Sequence, residues 1–325
     1  MTPTAFTIEP RGPFSLAEAA GFGFGQRDAT TLDTAVPADL MRLAFCLDGY
    51  EVQVGVEVRQ DPDGVVHGVV HGPAGADTGA VRRQVARVLS LDHDGTEFTA
   101  VGERDPVIGR LQVIAPGLRP PLFYSPYEAA AWSVLSARRP ARQMMAVRQR
   151  LSETHGSVFE LAGQRLAAFP TPGALLAVKE FAAIPGDKLE RLHGVAEAAL
   201  AGRLSAAHLR ELGPDAAMAE LQEIKGIGPF YSALIVIRAT GFADVLPVAE
   251  PRALALTARL YGLEEPVTTE KFTEIAEPWR PLRTWAVVLI RAAGQRLLEA
   301  REQEARAGRA GRAAGAQSQP VLTTS

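Results

Sequence analysis

The sequence predicts an α+β protein in which a curved antiparallel N-terminal sheet with two helices is followed by an all-α domain. Three observations carry this. Glu51-Val-Gln-Val-Gly-Val-Glu-Val58 alternates apolar and polar residues, the period of a half-buried antiparallel strand. From about residue 120 onward strand patterns give way to successive amphipathic helical periods joined by short loops rich in Gly and Pro. Within that helical part, residues Leu221 to Arg238 read as helix, tight glycine turn, helix.

In chain order, Phe6 to Glu9 is a short strand and Phe14 to Gly21 a short helix, opened by Ser15-Leu-Ala-Glu18 in capping-box spacing. Leu40 to Cys46 is a strand, and Asp61-Pro-Asp-Gly64 turns the chain from the alternating strand into the next, Val65 to Val70. Asp77 to Leu91 carries Val81, Val85 and Val88 on one face and reads as a helix. These elements make a first domain over residues 1–115, a scaffold without an evident catalytic constellation. Helices are expected at Pro126 to Leu135, Ala141 to His155, Leu175 to Phe181, Lys188 to Ala201 and Ser205 to Leu212. They are followed by the two hairpin helices, then by Glu250 to Tyr261, Thr269 to Ala276 and Pro281 to Glu302, giving an all-α domain over 116–303. Residues 304–325 lack large apolar residues apart from the last few positions and read as a disordered tail.

Composition narrows the function classes. Apolar residues make up 47% of the 325 and charged residues 22%, the balance of a soluble globular protein. A formal net charge of −3 excludes coating nucleic acid by bulk electrostatics but leaves room for gripping a few phosphates through backbone amides. The single cysteine, Cys46, excludes an intramolecular disulfide and a cysteine-ligated metal site. The six histidines are scattered, and His67 and His71 fall in a strand-like run, so no side-chain metal ligands are assigned. A secretory start and a membrane-spanning run are both absent from the pattern, which leads to the expectation of a cytoplasmic protein, nucleoid-associated if bacterial.

The glycine turn is the stretch most able to bind something. Pro214-Asp215 suits the first turn of a helix that runs to Ile224, Gly226 and Gly228 permit a sharp reversal, and Pro229 opens the second helix. Such a hairpin aims backbone N–H groups and a helix N-terminus outward, where an anion such as a DNA phosphate is stabilised. An ordinary turn between two core helices has the same sequence signature. After Gly241 a loop leads to Glu250 immediately before Pro251, which sets a carboxylate at another helix N-terminus. There it either caps the helix or stabilises positive charge developing on a sugar and orients an attacking water.

The order of these motifs resembles the helix-hairpin-helix superfamily of DNA glycosylases, and within it the 3-methyladenine DNA glycosylase II family. The resemblance extends along nearly the whole chain. It includes Leu122 to Ala137, Phe169-Pro-Thr-Pro172, Lys188 to Leu200 and the hairpin. It also includes Trp279-Arg-Pro-Leu-Arg-Thr-Trp-Ala286, which matches the family's Trp-x-Pro-x-Arg-x-x-Ala at Trp279, Pro281, Arg283 and Ala286.

The resemblance implies a monofunctional DNA glycosylase of base-excision repair, acting as a monomer on double-stranded DNA that carries a damaged, in particular alkylated, base. A catalytically silent or altered-substrate DNA-binding relative that recognises distorted duplex is the alternative. No cofactor is required. Lys225, Gly226, Ile227 and Gly228 are implied as the DNA-backbone contact. The carbonyls of Gln222, Ile224 and Ile227 are implied as ligands of a monovalent cation, Na⁺ or K⁺. The family's catalytic aspartate falls on Glu250, and the lysine nucleophile of bifunctional members falls on Phe230, which removes Schiff-base lyase chemistry. The base would be flipped out and stacked on aromatic rings.

The sequence departs from the family in three places. The acid is one methylene longer. The wedge loop that fills the gap left by the flipped base reads Leu135-Ser-Ala-Arg-Arg-Pro140, so Arg138 or Arg139 takes the wedge position unless the loop is simply a solvated basic turn. In the base pocket Phe230 keeps an aromatic ring, whereas Pro251 and Arg291 stand where relatives place rings. Arg291 would repel a cationic base, and Trp132, Tyr231 and Trp285 are the remaining candidates for stacking, unless each packs the core of its amphipathic helix, the more frequent role of such a ring.

Overall fold

In the computed structural model, residues 4–22, 40–248, 250–264 and 266–316 are described. Strands β1 (Thr4–Ile8), β2 (Leu40–Cys46), β3 (Gln53–Gln60) and β4 (Val66–His71) form an antiparallel sheet in the order β1-β4-β3-β2. The alternation read from the sequence sets its register. Val54, Val56 and Val58 on β3 are fully buried, and Val56 lies opposite Leu43 on one side and Val70 on the other. Helix α1 (Leu16–Phe22) starts at the expected box, Ser15 Oγ accepting from the Glu18 amide at 3.2 Å. Helix α2 (Thr78–Val88) is capped by Asp77, and its Val81, Val85 and Val88 join the sheet residues in one core.

Two expectations about this part of the chain need correction. Two further helices, α3 (Thr96–Arg104) and α4 (Pro106–Ile114), follow where none was expected. Asp105 caps α4 through the amides of Val107 and Ile108, and also accepts from Trp279 Nε1 at 2.8 Å and Tyr261 Oη at 2.6 Å. Phe98, Val101, Ile108 and Leu111 therefore pack with the last helices of the chain rather than with the sheet. Strands also do not end at residue 120. β5 (Val158–Leu161) and β6 (Gln164–Ala167) form a hairpin lying against the sheet, close enough that a Cβ on Gly55 would sit 2.7 Å from the Phe159 ring. Four-residue strands turning at Ala162 and Gly163, both with positive φ, are too short to show a period-2 pattern.

The helical part comprises α5 (Pro126–Ser136), α6 (Ala141–His155), α7 (Pro172–Ala177), α8 (Gly186–Leu200), α9 (Ala206–Leu212), α10 (Pro214–Gln222), α11 (Pro229–Ala239), α12 (Pro251–Tyr261), α13 (Thr269–Ala276) and α14 (Arg283–Ala316). They build two cores. One joins α5, α6, α8 and the two hairpin helices around Tyr127, Phe169 and Leu192. The other joins α12, α13 and α14 with α3 and α4 around Trp279 and Phe272. The expected tail is corrected as far as residue 316, because α14 continues to Ala316. Ala, Arg and Glu, strong helix formers, make up residues 304–316 apart from Gly308, Gly311 and Gly315, with no proline among them. Residues 317–325 of that tail lie outside the described residues. Among the described residues no helix is long and apolar enough to cross a membrane.

Candidate nucleic-acid interface and active site

The glycine hairpin forms as its sequence dictates. Leu221 on α10, Ile224 in the turn after it, and Ile235 and Val236 on α11 are buried, which fixes the two helices against each other. Between them the Ile224 amide donates to Leu221 O and the Ile227 amide to Ile224 O, so the Ile224 carbonyl already accepts one hydrogen bond. Gly226 has φ +102°, which an L side chain tolerates poorly, and a Cβ there would also stand 3.1 Å from Arg191 Cδ. Ile227 turns inward, 3% exposed, and so pins the loop to the core, while Lys225, Gly226 and Gly228 face solvent. Gly228 is the N-cap of α11 and supplies no side-chain cap. With Pro229 at the first position, the amides of Phe230 and Tyr231 are the outward donors of that helix end. Gln222 Nε2 donates to Met218 O along α10.

The basic loop after α5 lies on the same side. Val134 near its start approaches Gly226, at 3.5 Å from a Cβ placed there. Arg138, with φ +56°, and Arg139 are both exposed, the Arg139 amide closing the turn on Ser136 O at 3.1 Å. The loop is held from below by Lys188 of α8, whose Nζ donates to Leu135 O at 2.7 Å and Ala137 O at 3.1 Å. These are carbonyls that the helix end leaves without partners. Burial, together with the charges of Arg139 and Arg191, lowers the Lys188 pKa. Lys188 was not singled out from the sequence; its signal is a lysine beside Leu189 on the otherwise buried face of α8.

Glu250 sits where the sequence placed it, as N-cap of α12, and does what a cap does: Oε2 accepts from the Ala253 amide at 2.6 Å. Its other oxygen, Oε1, is 3.0 Å from Nη1 of Arg291 on α14, with the carboxylate side chain 23% exposed. Arg291 is thus the direct partner of the acid. The loop leading to Glu250 is tied down by the Trp-x-Pro-x-Arg-x-x-Ala segment. Arg283 Nε and Nη2 clasp the Asp244 carboxylate at 2.8 and 3.0 Å, and Nη2 also reaches the Asp244 carbonyl at 2.7 Å. Thr284 Oγ1 accepts from the Val245 amide and donates to its carbonyl, at 3.0 and 2.8 Å. Trp279 is fully buried on Asp105 and Ala286 is buried beside it, so the motif's physical role is to fix the start of α14 and the loop that presents the acid.

The remaining pocket candidates divide. Phe230 is 58% exposed at the start of α11, its ring edge-on to half-buried Tyr231 at 5.3 Å between centroids. Pro251 is exposed beside Glu250. Trp132 and Trp285, expected to stack a base, are instead core residues. Trp132 is 7% exposed in the first helical core, and Trp285 is 3% exposed with its ring against Phe98 and His93 at 5.5 and 5.8 Å. Both fall on the apolar face of their helices, and that packing takes the rings. A cavity of about 690 Å³ opens elsewhere, between the end of α8 and helices α9 and α10, lined by Arg203, His208, Glu220 and Glu223, which pair with one another.

No family model matches the chain. It is 24% identical over 206 residues to the DNA-3-methyladenine glycosylase of Bacillus subtilis (strain 168), an alignment covering 61% of this chain and 67% of that protein. Among solved structures it superposes on the 3-methyladenine DNA glycosylase from Archaeoglobus fulgidus with a TM-score of 0.68 at 22% identity, over 89% of this chain and 98% of that one. It also superposes on the Clostridium acetobutylicum 8-oxoguanine glycosylase/lyase, solved with double-stranded DNA carrying cytosine opposite 8-oxoguanine. There the TM-score is 0.61 at 16% identity, over 91% and 98% of the two chains. The chain shares the fold of these glycosylase structures, a small antiparallel sheet followed by a mostly helical part.

Proposed function

We propose that the chain is a monofunctional DNA N-glycosylase of base-excision repair, binding duplex DNA and hydrolysing the N-glycosidic bond of a flipped, damaged base. Alkylated bases are the first to test, since the B. subtilis and A. fulgidus proteins are named for 3-methyladenine. The observation that carries the reading is the pairing of two helix ends in one fold, a glycine hairpin with outward amides and a carboxylate at the N-cap of α12.

The hairpin Lys225-Gly226-Ile227-Gly228 grips the phosphate backbone, with carbonyls of Gln222, Ile224 and Ile227 available to a Na⁺ or K⁺ ion that bridges to it. Arg138 or Arg139, on the loop anchored by Lys188, fills the gap the base leaves. Phe230, in the place of a lyase lysine, offers a ring and no nucleophile. Glu250 stabilises the oxocarbenium-like sugar as the C1′–N bond breaks, then takes a proton from the water that adds to C1′. Residues 1–115 act as scaffold, with α3 and α4 bracing the second helical core, and residues 116–303 act as the DNA-binding unit of a cytoplasmic monomer, nucleoid-associated if bacterial, that needs no cofactor.

A second reading, a binder of distorted duplex that does not cut, is favoured by one observation. Both oxygens of Glu250 already have partners, Ala253 N–H and Arg291. Base release measured on duplexes with alkylated, deaminated or oxidised bases, beside affinity for an abasic-site analogue, separates the two. Release from any of them supports the glycosylase. Tight analogue binding with no release supports the silent binder, and no binding to duplex at low salt overturns both.

A further inference from the structure

The corner that holds Glu250 contains more positive than negative charge. Arg291 reaches Glu250 through Nη1, but its Nε is buried and takes no partner among the described residues. Arg238 on α11 donates from Nη2 to Pro121 O at 2.7 Å and lies over the Phe22 ring at 5.1 Å. Its Nε is likewise buried and without a partner among the described residues. Burial first, and the nearby charge of Arg291 second, bring the Arg238 pKa down to about 10, so the two guanidiniums sense each other. Among the described residues Glu250 is the one carboxylate that pairs with either. The corner therefore carries two cations against one anion, and the Arg291 guanidinium beside Glu250 is partly exposed.

We infer that Arg238 and Arg291 select the damaged base by charge, admitting an uncharged base that presents carbonyl or ring-nitrogen acceptors and rejecting a cationic one. This rests on the glycosylase reading and narrows its substrate. A base whose C1′ is within reach of Glu250 also lies close to the Arg291 guanidinium, 3.0 Å from that carboxylate. A cationic alkylpurine meets a like charge there in a half-buried site, where screening is weak. An uncharged base gains, because its bond to C1′ breaks with the electron pair moving onto the base. The departing anion then needs hydrogen-bond donors that a cationic base does without. The arginines keep their protons throughout; water adds to C1′, Glu250 takes the water's proton, and that proton passes through solvent to the released base.

The test compares single-turnover release of 7-methylguanine, cationic while bonded to deoxyribose, with that of two neutral lesions, hypoxanthine and 1,N6-ethenoadenine, each expressed as enhancement over spontaneous loss from the same duplex. The wild-type protein is expected to enhance loss of at least one neutral base about tenfold more than loss of 7-methylguanine, with Arg291→Gln removing most of that preference and Arg291→Lys keeping it. Greater enhancement for 7-methylguanine than for both neutral bases in the wild type overturns the inference while leaving the glycosylase reading standing. A preference unchanged in folded Arg291→Gln also overturns it. Release of none of these three, with release of another base from the wider panel, overturns the inference and leaves the glycosylase reading standing, while release of no base from any duplex overturns both. Should Arg291→Gln fail to fold, the wild-type comparison decides.

Discussion

The two helix ends that make up the candidate site are built on opposite plans. At the hairpin the chain leaves its donors open: α11 begins with a glycine cap and a proline, and its first amides point outward with no side chain to satisfy them. The structure around them is rigid, with Ile227 buried beneath the turn and Lys188 bracing the adjacent loop. At α12 the same kind of helix end is closed by the chain itself, since Glu250 caps the Ala253 amide and pairs with Arg291. On the proposed reading the hairpin takes an anion without rearrangement, whereas the acid must exchange one of its partners to act on a ligand. Binding and chemistry are then separable, and each end can be broken without the other.

The largest effect on binding is expected at Gly226. Gly226→Val puts a β-branched side chain at φ +102° against Arg191, a backbone strain of about 1–3 kcal/mol that reshapes the turn. Titration of a labelled duplex should show affinity falling by about tenfold or more, in line with loss of oriented backbone amides. Unchanged affinity would place the contact elsewhere. Next is Lys188→Met, which strips two carbonyls of a charged donor and is expected to cost about 2 kcal/mol in denaturant unfolding. It should also weaken binding to an abasic-site analogue more than binding to intact duplex, because the loop carrying Arg138 and Arg139 loses its support. Equal weakening of both would deny that loop a wedge role. The smallest effect on binding is expected of exposed Lys225: Lys225→Ala should lower the salt dependence of binding by about one released counterion with little change in stability.

A control outside both helix ends is Glu128 on α5, fully buried and paired with Arg148 at 2.7 Å. Burial pushes its carboxyl up to about 7 against the opposing pull of Arg148. With the folded pKa above the unfolded one, the folded state holds the proton more tightly, so this group's contribution falls as pH rises through the interval from about 4.5 to 7. Glu128→Gln should flatten that part of the stability curve, measured by urea unfolding across pH, without changing DNA affinity at fixed pH. A slope that survives the substitution would assign it to another group.

Much of this was legible in the sequence, for physical reasons that differ by region. Period-2 alternation fixes which face of β3 is buried. Proline and glycine punctuation fixes the hairpin, because few residues can adopt those backbone angles. The cap position of Glu250 follows from Pro251 alone. What local pattern cannot carry is contact across long separations. Arg291 is 41 residues from Glu250 in sequence, and Asp105 meets Trp279 across 174, so neither pairing leaves a local trace. Trp132 and Trp285 show the converse. A ring on an amphipathic helix has the same spacing whether it packs a core or stacks a ligand, and only the folded neighbours, such as Phe98 and His93 around Trp285, tell the two apart.

The central claim, that a hairpin grips DNA while a capped acid performs the chemistry, is tested most directly by measuring binding and base release together for Glu250→Gln. The substitution keeps an oxygen able to cap Ala253 and removes the charge. The account predicts duplex affinity within about threefold of the wild type and single-turnover release slowed by at least about a hundredfold, the order seen when an electrostatic stabiliser of a transition state is removed. Release at the wild-type rate in Glu250→Gln would contradict it.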